Sequence, residues 1–302
     1  MEKLIQPPVM TPQMVDTFDK LAHQDNIMSL SEKLTYMTVL IQCEYKDPQT
    51  SQSYSGAGTG FIAHLCIDKD KNICKPVIIT NKHVICNATK FSFSFCKADI
   101  NGRPLNHEIE KITCTNLQDW IMHTESDLCC FPIGNILNSF GRESKKVFYS
   151  YIQTDLIPTK DTIENFSTME DVVMVGYPIG LSDTFNHKPI IRRGVTATHI
   201  KYDYQNKKEF LIDMACFPGS SGSPVFILNE GAYVDKNGIS LGSRIIFVGI
   251  LWGGPQYLAG GNISFCSLPN QPKTITSIPT NLGNVIKSSE ILEFENKLME
   301  LP

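Results

Sequence analysis

No stretch of this 302-residue chain approaches the roughly 18 consecutive apolar residues that a bilayer-crossing helix needs, so no membrane span is expected. The amino terminus, MEKLIQPPVMTPQMVDTFDK, holds no apolar run of secretory length and no small-residue cleavage site behind one. The expected location is therefore cytoplasmic. There is no basic excess: 27 Lys+Arg stand against 31 Asp+Glu, for a net charge of -4. The doublets Lys145–Lys146, Arg192–Arg193 and Lys207–Lys208 are isolated, which excludes the basic stripe of a nucleic-acid binder. No C-x-x-C pair occurs among the ten cysteines. Cys129 and Cys130 are adjacent, and a strand would send them to opposite faces. No metal site and no cofactor are expected. Without a secretory signal the thiols are read as reduced and mostly buried. There is no internal repeat and no low-complexity tract.

What is present suits a substantial core: 42% of residues are hydrophobic, with 20 Gly and 17 Pro for turns. Residues 1–34 form a separate N-terminal segment. Pro7, Pro8 and Pro12 make its start irregular, and apolar residues at 14, 15, 18, 21 and 22 predict a short helix over 13–24. From Thr35 the texture becomes short β-rich runs between turn residues, among them YMTVLIQCEY, GTGFIAHLCI and KPVIITNKHVI. KFSFSF alternates as a half-buried strand should. A second cluster begins near 145 with KVFYSYI and continues through DVVMVGYP, EFLIDMACF, GSPVFIL and RIIFVGILWGG. Strands at short intervals with few helical windows predict an all-β sandwich or barrel. The clusters divide the chain into 35–140 and 141–302, with 133–142 as the crossing. Residues 229–243 read as a polar hairpin tip and 254–281 as loops. The tail SSEILEFENKLME predicts an amphipathic helix packed on the second cluster.

Three residues carry candidate chemistry. In GSSGSP (219–224), Ser221 sits between two glycines and between two β runs. Gly-Ser turns are common, but here Gly219 and Gly222 permit the backbone angles that would project a hydroxyl. The amides of Gly219 and Ser221 could then converge on a developing oxyanion. A serine nucleophile needs a base. Of seven histidines, His83 stands at a polar turn after an apolar strand, in VIITNKHVI. That histidine needs an acid to fix its tautomer, and Asp127 lies where a polar loop meets the strand LCCF. Alone, His83 also reads as a core histidine and Asp127 as a turn cap. Together they give the chain order His, Asp, Ser, with the first two in one β cluster and the serine in the other.

At this point the sequence resembles the chymotrypsin-like serine peptidases, and within them the branch of HtrA-type proteases and glutamyl endopeptidases. Gly58-Thr59-Gly60-Phe61 resembles the G-x-G-F segment of the first barrel. Thr80-Asn81-Lys82-His83-Val84 resembles the histidine motif and Ser126-Asp127-Leu128 the acid motif, with Cys129 in place of the usual Ala. Val175-Gly176-Tyr177-Pro178-Ile179-Gly180, Arg193-Gly194-Val195-Thr196-Ala197 and the Gly219–Pro224 turn resemble successive segments of the second barrel. Val248–Gly254 resembles the strand lining the primary specificity pocket, and Asn281–Ile286 the closing segment. The resemblance covers roughly residues 35–290. It implies two packed six-stranded antiparallel β-barrels with short terminal helices, and a His83–Asp127–Ser221 triad. Secreted members carry an Asp before the nucleophile that pairs with a freed N-terminus. Here Ser220 stands there, so activation by N-terminal trimming is not expected. No PDZ-like module follows the peptidase core.

By the same resemblance the pocket floor falls at Ala215 and its walls at Leu251 and Gly253. None is charged, and an apolar P1 residue is expected; His199, on the adjoining strand, would favour a polar or acidic one. The partner is then a protein or peptide substrate, cleaved through an acyl-enzyme. A peptidase loose in a cytoplasm calls for narrow specificity or an activating protein partner. The alternative is a catalytically silent pseudoprotease acting as a protein-binding module. A cysteine peptidase is disfavoured because serine holds the nucleophile position.

Overall fold

The computed structural model describes residues 28–47, 49–68, 70, 73–235, 238–262 and 273–300. The helix expected over 13–24 lies outside them. The first described element is helix α1 (Leu30–Leu34), closed at its start by a capping box in which Ser29 and Glu32 satisfy each other's backbone amides.

Nine strands follow: β1 (Thr38–Lys46), β2 (Ser53–Asp68), β3 (Ile73–Thr80), β4 (Ala88–Ala98), β5 (Pro104–Cys114), β6 (Ile121–Met122), β7 (Cys129–Pro132), β8 (Val147–Phe148) and β9 (Ile152–Gln153). They form one sheet in the order β5-β4-β1-β2-β3-β7-β6, with β8 on β4 and β9 on β2. The alternation read in KFSFSF is that of β4, whose Phe91, Phe93 and Phe95 all enter one core with Trp120 and Phe131. Among the described residues no hydrogen-bonded ladder closes this sheet, and its edge strand β6, two residues long, pairs with β7.

The second half contains the closed six-stranded barrel, in the order β10 (Asp171–Gly176), β11 (Ile190–Thr196), β12 (Glu209–Asp213), β19 (Leu282–Lys287), β16 (Arg244–Gly253) and β13 (Pro224–Asn229). Two hairpins project from it, β14 (Ala232–Asp235) with β15 (Gly238–Leu241), and β17 (Gln256–Asn262) with β18 (Lys273–Pro279). The first is the hairpin tip read in the sequence. The second occupies a stretch read as loop, because its Gly, Pro and Ser content masked an antiparallel register running from Gln256↔Pro279 to Asn262↔Lys273.

Two boundaries differ from expectation. Residues 133–142 are not a bare crossing: Gly134–Arg142 form a helix, α3, after α2 (Lys82–Ile85), and α3 buries Phe140 in the first core. KVFYSYI belongs to the first sheet, since Val147 and Phe148 pair with β4 and Ile152 with β2. Past α4 (Lys160–Glu164) the chain enters the barrel. The tail helix α5 (Glu293–Met299) buries Phe294 and Leu298, as its spacing predicts. It is tied to the first sheet rather than the second, because its polar groups find partners there. The Cys66 amide donates to Glu295, Lys75 Nζ to the Leu298 carbonyl, and Lys297 Nζ to the Met122 carbonyl.

Between the halves lies a shared apolar layer in which Phe61 packs edge-on to Phe247, 5.4 Å between ring centres. The nine described cysteines are free thiols, and only Cys43, Cys129 and Cys130 are fully buried. Among the described residues no helix is long and apolar enough to cross a membrane, and no cluster of His, Cys, Asp and Glu could hold a metal ion.

Candidate active site

His83 rides on α2, a single turn. Its seat depends on a missing side chain: a Cβ at Gly58 would stand 2.4 Å from Val84 Cγ1, so only glycine lets β2 and α2 pack this closely. Asp127 reaches α2 from the loop before β7. Its Oδ1 accepts from the His83 amide at 3.2 Å and its Oδ2 lies 2.5 Å from His83 Nδ1. Asn81 Nδ2 donates to the Asp127 carbonyl at 2.8 Å. The carboxylate thus takes the Nδ1–H, leaving Nε2 as the basic nitrogen. The His83 side chain is 47% exposed and that of Asp127 29%, so the imidazole edge is open to a substrate.

The Asp127 loop is braced by residues that no motif connects. His123 is 4% exposed. Its Nδ1 accepts from the amides of Glu125 and Ser126, and its Nε2 meets Glu293 at 3.1 Å. Glu293 also accepts from the Thr124 amide and hydroxyl, while Ser126 donates to Glu290. Burial works against the Glu293 carboxylate, but hydrogen bonds from Lys297 and Thr124 outweigh it and hold its pKa down to about 2. The tail helix therefore clamps the loop that carries Asp127.

Ser221 is half-buried on the turn between β12 and β13. The Ser220 amide donates to the Phe217 carbonyl at 3.0 Å, with Pro218 and Gly219 between them and Gly219 at φ +84°. These are the features of a type II turn. A Cβ on Gly219 would also meet the Tyr177 carbonyl at 2.7 Å. The Pro218 carbonyl accepts from the Ile179 amide at 2.5 Å, which turns the Gly219 N–H the opposite way across the same planar peptide. Among the described residues the amides of Gly219 and Ser221 have no protein acceptor. Ile179 itself sits at φ +47°, a left-handed conformation that a β-branched residue adopts only when its surroundings impose it.

The structure brings His83 and Asp127 together, but it does not join Ser221 to His83. The Ser221 hydroxyl donates instead to the Trp252 carbonyl at 3.3 Å. The halves meet at Thr59. Its amide donates to the Ser221 carbonyl, its hydroxyl to the Gly219 carbonyl, and that hydroxyl accepts from the Tyr177 amide.

Of the expected pocket residues, Leu251 exchanges backbone hydrogen bonds with Gly222 and Ser223 beside Ser221. Gly283 closes on it: a Cβ there would stand 2.6 Å from Cys216 Sγ and 2.7 Å from Leu251 Cδ1. Gly253 stands next to Trp252 near the end of β16. Ala215 is held from behind by Arg192, whose Nη1 donates at 2.8 Å both to the Ala215 carbonyl and to Ser220 Oγ. Two other nitrogens of Arg192, Nε and Nη2, are buried without a partner. His199 is not among these contacts. Its Nδ1 accepts from the Lys201 amide and its ring stands edge-on to Tyr202. Burial pushes the Cys216 thiol up to about 11, which keeps it protonated and inert.

The sequence profile of the trypsin-like peptidase domain matches residues 58–234. The chain belongs to that family. The matched span carries the His83–Asp127 pair, the Ser221 turn and Arg192, so the geometry above is that of a trypsin-like peptidase domain of chymotrypsin-like fold. No curated protein matches this peptidase. Among solved structures it is similar to a scabies mite inactivated protease paralogue, S-I1, with 12% identity over 88% of this chain and 96% of that one, at a TM-score of 0.38.

Proposed function

We propose that this trypsin-like peptidase is a serine endopeptidase that acts through an acyl-enzyme. Ser221 Oγ attacks the scissile carbonyl. His83 Nε2 takes its proton and later passes it to the leaving amine. Asp127 fixes the imidazole with Nδ1–H toward itself and stabilises the imidazolium. The Gly219 and Ser221 amides receive the oxyanion. The observation that carries this reading is the 2.5 Å contact between His83 Nδ1 and Asp127 Oδ2, because an imidazole so held presents its other nitrogen as a base.

The Ser221 hydroxyl donates to the Trp252 carbonyl, and rotation about one side-chain bond would free it for attack. A soluble cytoplasmic peptidase calls for narrow specificity or release by a protein partner. The uncharged Ala215, Leu251 and Gly253 favour an apolar P1 side chain. The histidine, acid and nucleophile motifs favour the branch of HtrA-type proteases and glutamyl endopeptidases. The test is covalent labelling with a fluorophosphonate, read by intact mass, with Ser221→Ala beside it. Labelling of the native protein alone supports an activated serine. Labelling of neither, under any condition including lysate from stressed cells, would favour the silent binding module.

A further inference from the structure

A cavity of about 270 Å³ opens between β1, β4, β5 and the stretch 177–188, away from the Ser221 turn. Its wall carries Lys111, His187 and Lys188 and no aspartate or glutamate. Several lysines elsewhere make surface ion pairs, as Lys90 does with Glu44, Lys145 with Glu110 and Lys201 with Glu164, and the largely buried Lys287 pairs with Asp203. The two cavity lysines have neutral partners instead. Lys111 Nζ donates to Gln42 Oε1, and Lys188 Nζ lies over the Tyr36 ring, 3.1 Å from its centre. Burial lowers Lys188 to about 8, so the ammonium persists at neutral pH although it is partly stripped of water. Thr38, also on the wall, is 6% exposed and its hydroxyl has no hydrogen-bond partner. A half-buried ammonium and a buried, unpartnered hydroxyl with no carboxylate on the same wall are groups a ligand would satisfy. Beside neutral polar groups such as Ser94 and Thr184, the wall carries an apolar part made by Val39, Leu40, Ile62, Phe95 and Phe148. Its size lies just below the ~300 Å³ at which small-molecule sites begin, room for one or two amino-acid residues.

We propose that this cavity binds the C-terminal end of a peptide, its carboxylate on Lys188, Lys111 and the Thr38 hydroxyl and its last, apolar side chain against Phe95 and Phe148, and that occupancy steadies the oxyanion turn. The route is short. Tyr177, Ser182, Thr184, His187 and Lys188 on the wall belong to the same stretch as Ile179, whose amide holds the Pro218 carbonyl. Tyr177 OH is tied to the Thr38 carbonyl, and the Asp183–Lys188 bridge closes the stretch into a hairpin. A ligand pinning Lys188 and His187 to β1 and β5 therefore favours the strained Ile179 conformation over its relaxed alternatives, and with it the turned-out Gly219 amide. This coupling rests on the serine-peptidase reading; the binding does not. Peptide hydrolysis itself produces such carboxylate ends, so the occupant is of the same class as the product.

Calorimetric titration of the Ser221→Ala protein with N-acetyl-leucine tests the binding, with N-acetyl-leucinamide and inorganic phosphate as the other two arms. The acid should bind, and Lys188→Met should weaken it by at least about tenfold. Lys111→Met serves as the second variant, and melting curves establish that both are folded. Equal binding of the amide, or binding of the acid unmoved by both variants, would overturn the site. Phosphate binding as tightly as the acid would make it a general anion site and overturn the peptide-end assignment. In native protein, saturating N-acetyl-leucine should speed fluorophosphonate labelling at least about fivefold. An unchanged rate with binding intact overturns the coupling. No labelling with or without ligand counts against the peptidase reading and leaves the binding result standing.

Discussion

Replacing Arg192 by Met should inactivate the peptidase without unfolding it. The Arg192 guanidinium makes two hydrogen bonds, to the Ala215 carbonyl and to Ser220 Oγ, each 2.8 Å long. Hydrogen bonds from a charged donor contribute about 1.5–3 kcal/mol each, so their loss alone would cost roughly 3–6 kcal/mol. Against this stands a charge with no carboxylate partner among the described residues and with Nε and Nη2 buried and unpaired. Removing such a group returns several kcal/mol of desolvation. The two terms nearly cancel, and the change in unfolding free energy should stay within about 2 kcal/mol. The consequence for the site does not cancel. Ala215 and Ser220 bracket the turn that carries Gly219, and Arg192 is the side chain that spans them. If the Gly219 amide drifts from its place, the loss should approach that of an oxyanion-hole donor, about 10²–10³ in kcat. Fluorophosphonate labelling rates and urea denaturation would be measured on the same samples, with Arg192→Lys as the conservative variant. Arg192→Lys should recover part of the rate, and the loss in both should fall on kcat more than on KM. A labelling rate within twofold of native in a folded Arg192→Met protein would show that Arg192 does not hold the turn. A loss of stability large enough to explain the inactivity by itself would count against that role as well.

Other substitutions should separate the parts of the site. Asp127→Asn should leave the fold intact and lower kcat by about 10³–10⁴, since an amide no longer demands the Nδ1–H tautomer; the assay is turnover of a peptide substrate. Gly219→Ala, at φ +84° and with its Cβ 2.7 Å from the Tyr177 carbonyl, should abolish labelling, because the turn can relax only by rotating the Gly219 amide away. Glu293 should contribute to acid stability. Its folded pKa is depressed from 4.5 to about 2, so its contribution is complete above pH 4.5 and is lost as pH falls from there toward 2. Urea midpoints across that range should drop in the native protein, and Glu293→Gln should flatten the drop; an unchanged slope would remove Glu293 from the account. Alkylation at neutral pH should modify exposed Cys86 and spare Cys216, as peptide mapping would report.

The parts of this molecule legible in its sequence are those set by short-range chemistry. The alternation in β4 and the paired glycines around Ser221 declare themselves within ten residues, and the order of His83, Asp127 and Ser221 fits two halves that meet. The illegible parts depend on where long side chains end. Arg192 read as half of a surface doublet, yet its neighbour Arg193 pairs with Asp171 outside while it turns inward beneath Ala215. His123 carried no motif, and its role exists only because the C-terminal stretch returns to the first sheet with Glu290, in the turn before α5, and Glu293, at its start. The hairpin of β17 and β18 was hidden by its own glycines, since a backbone ladder needs no alternating side chains to form. Ile179 offered no warning of its left-handed backbone, because nothing in a β-branched residue favours one.

Thr59 has a consequence for timing. It is the first-half residue that reaches the Ser221 carbonyl, the Gly219 carbonyl and the Tyr177 amide, while its own carbonyl is held by Thr80 beside α2. During synthesis the imidazole and its carboxylate leave the ribosome well before the serine does. Until Thr59 has found all three of its distant partners, the turn that carries Ser221 is not seated on the half that carries His83. On the serine-peptidase reading, activity would therefore appear only after both halves are made.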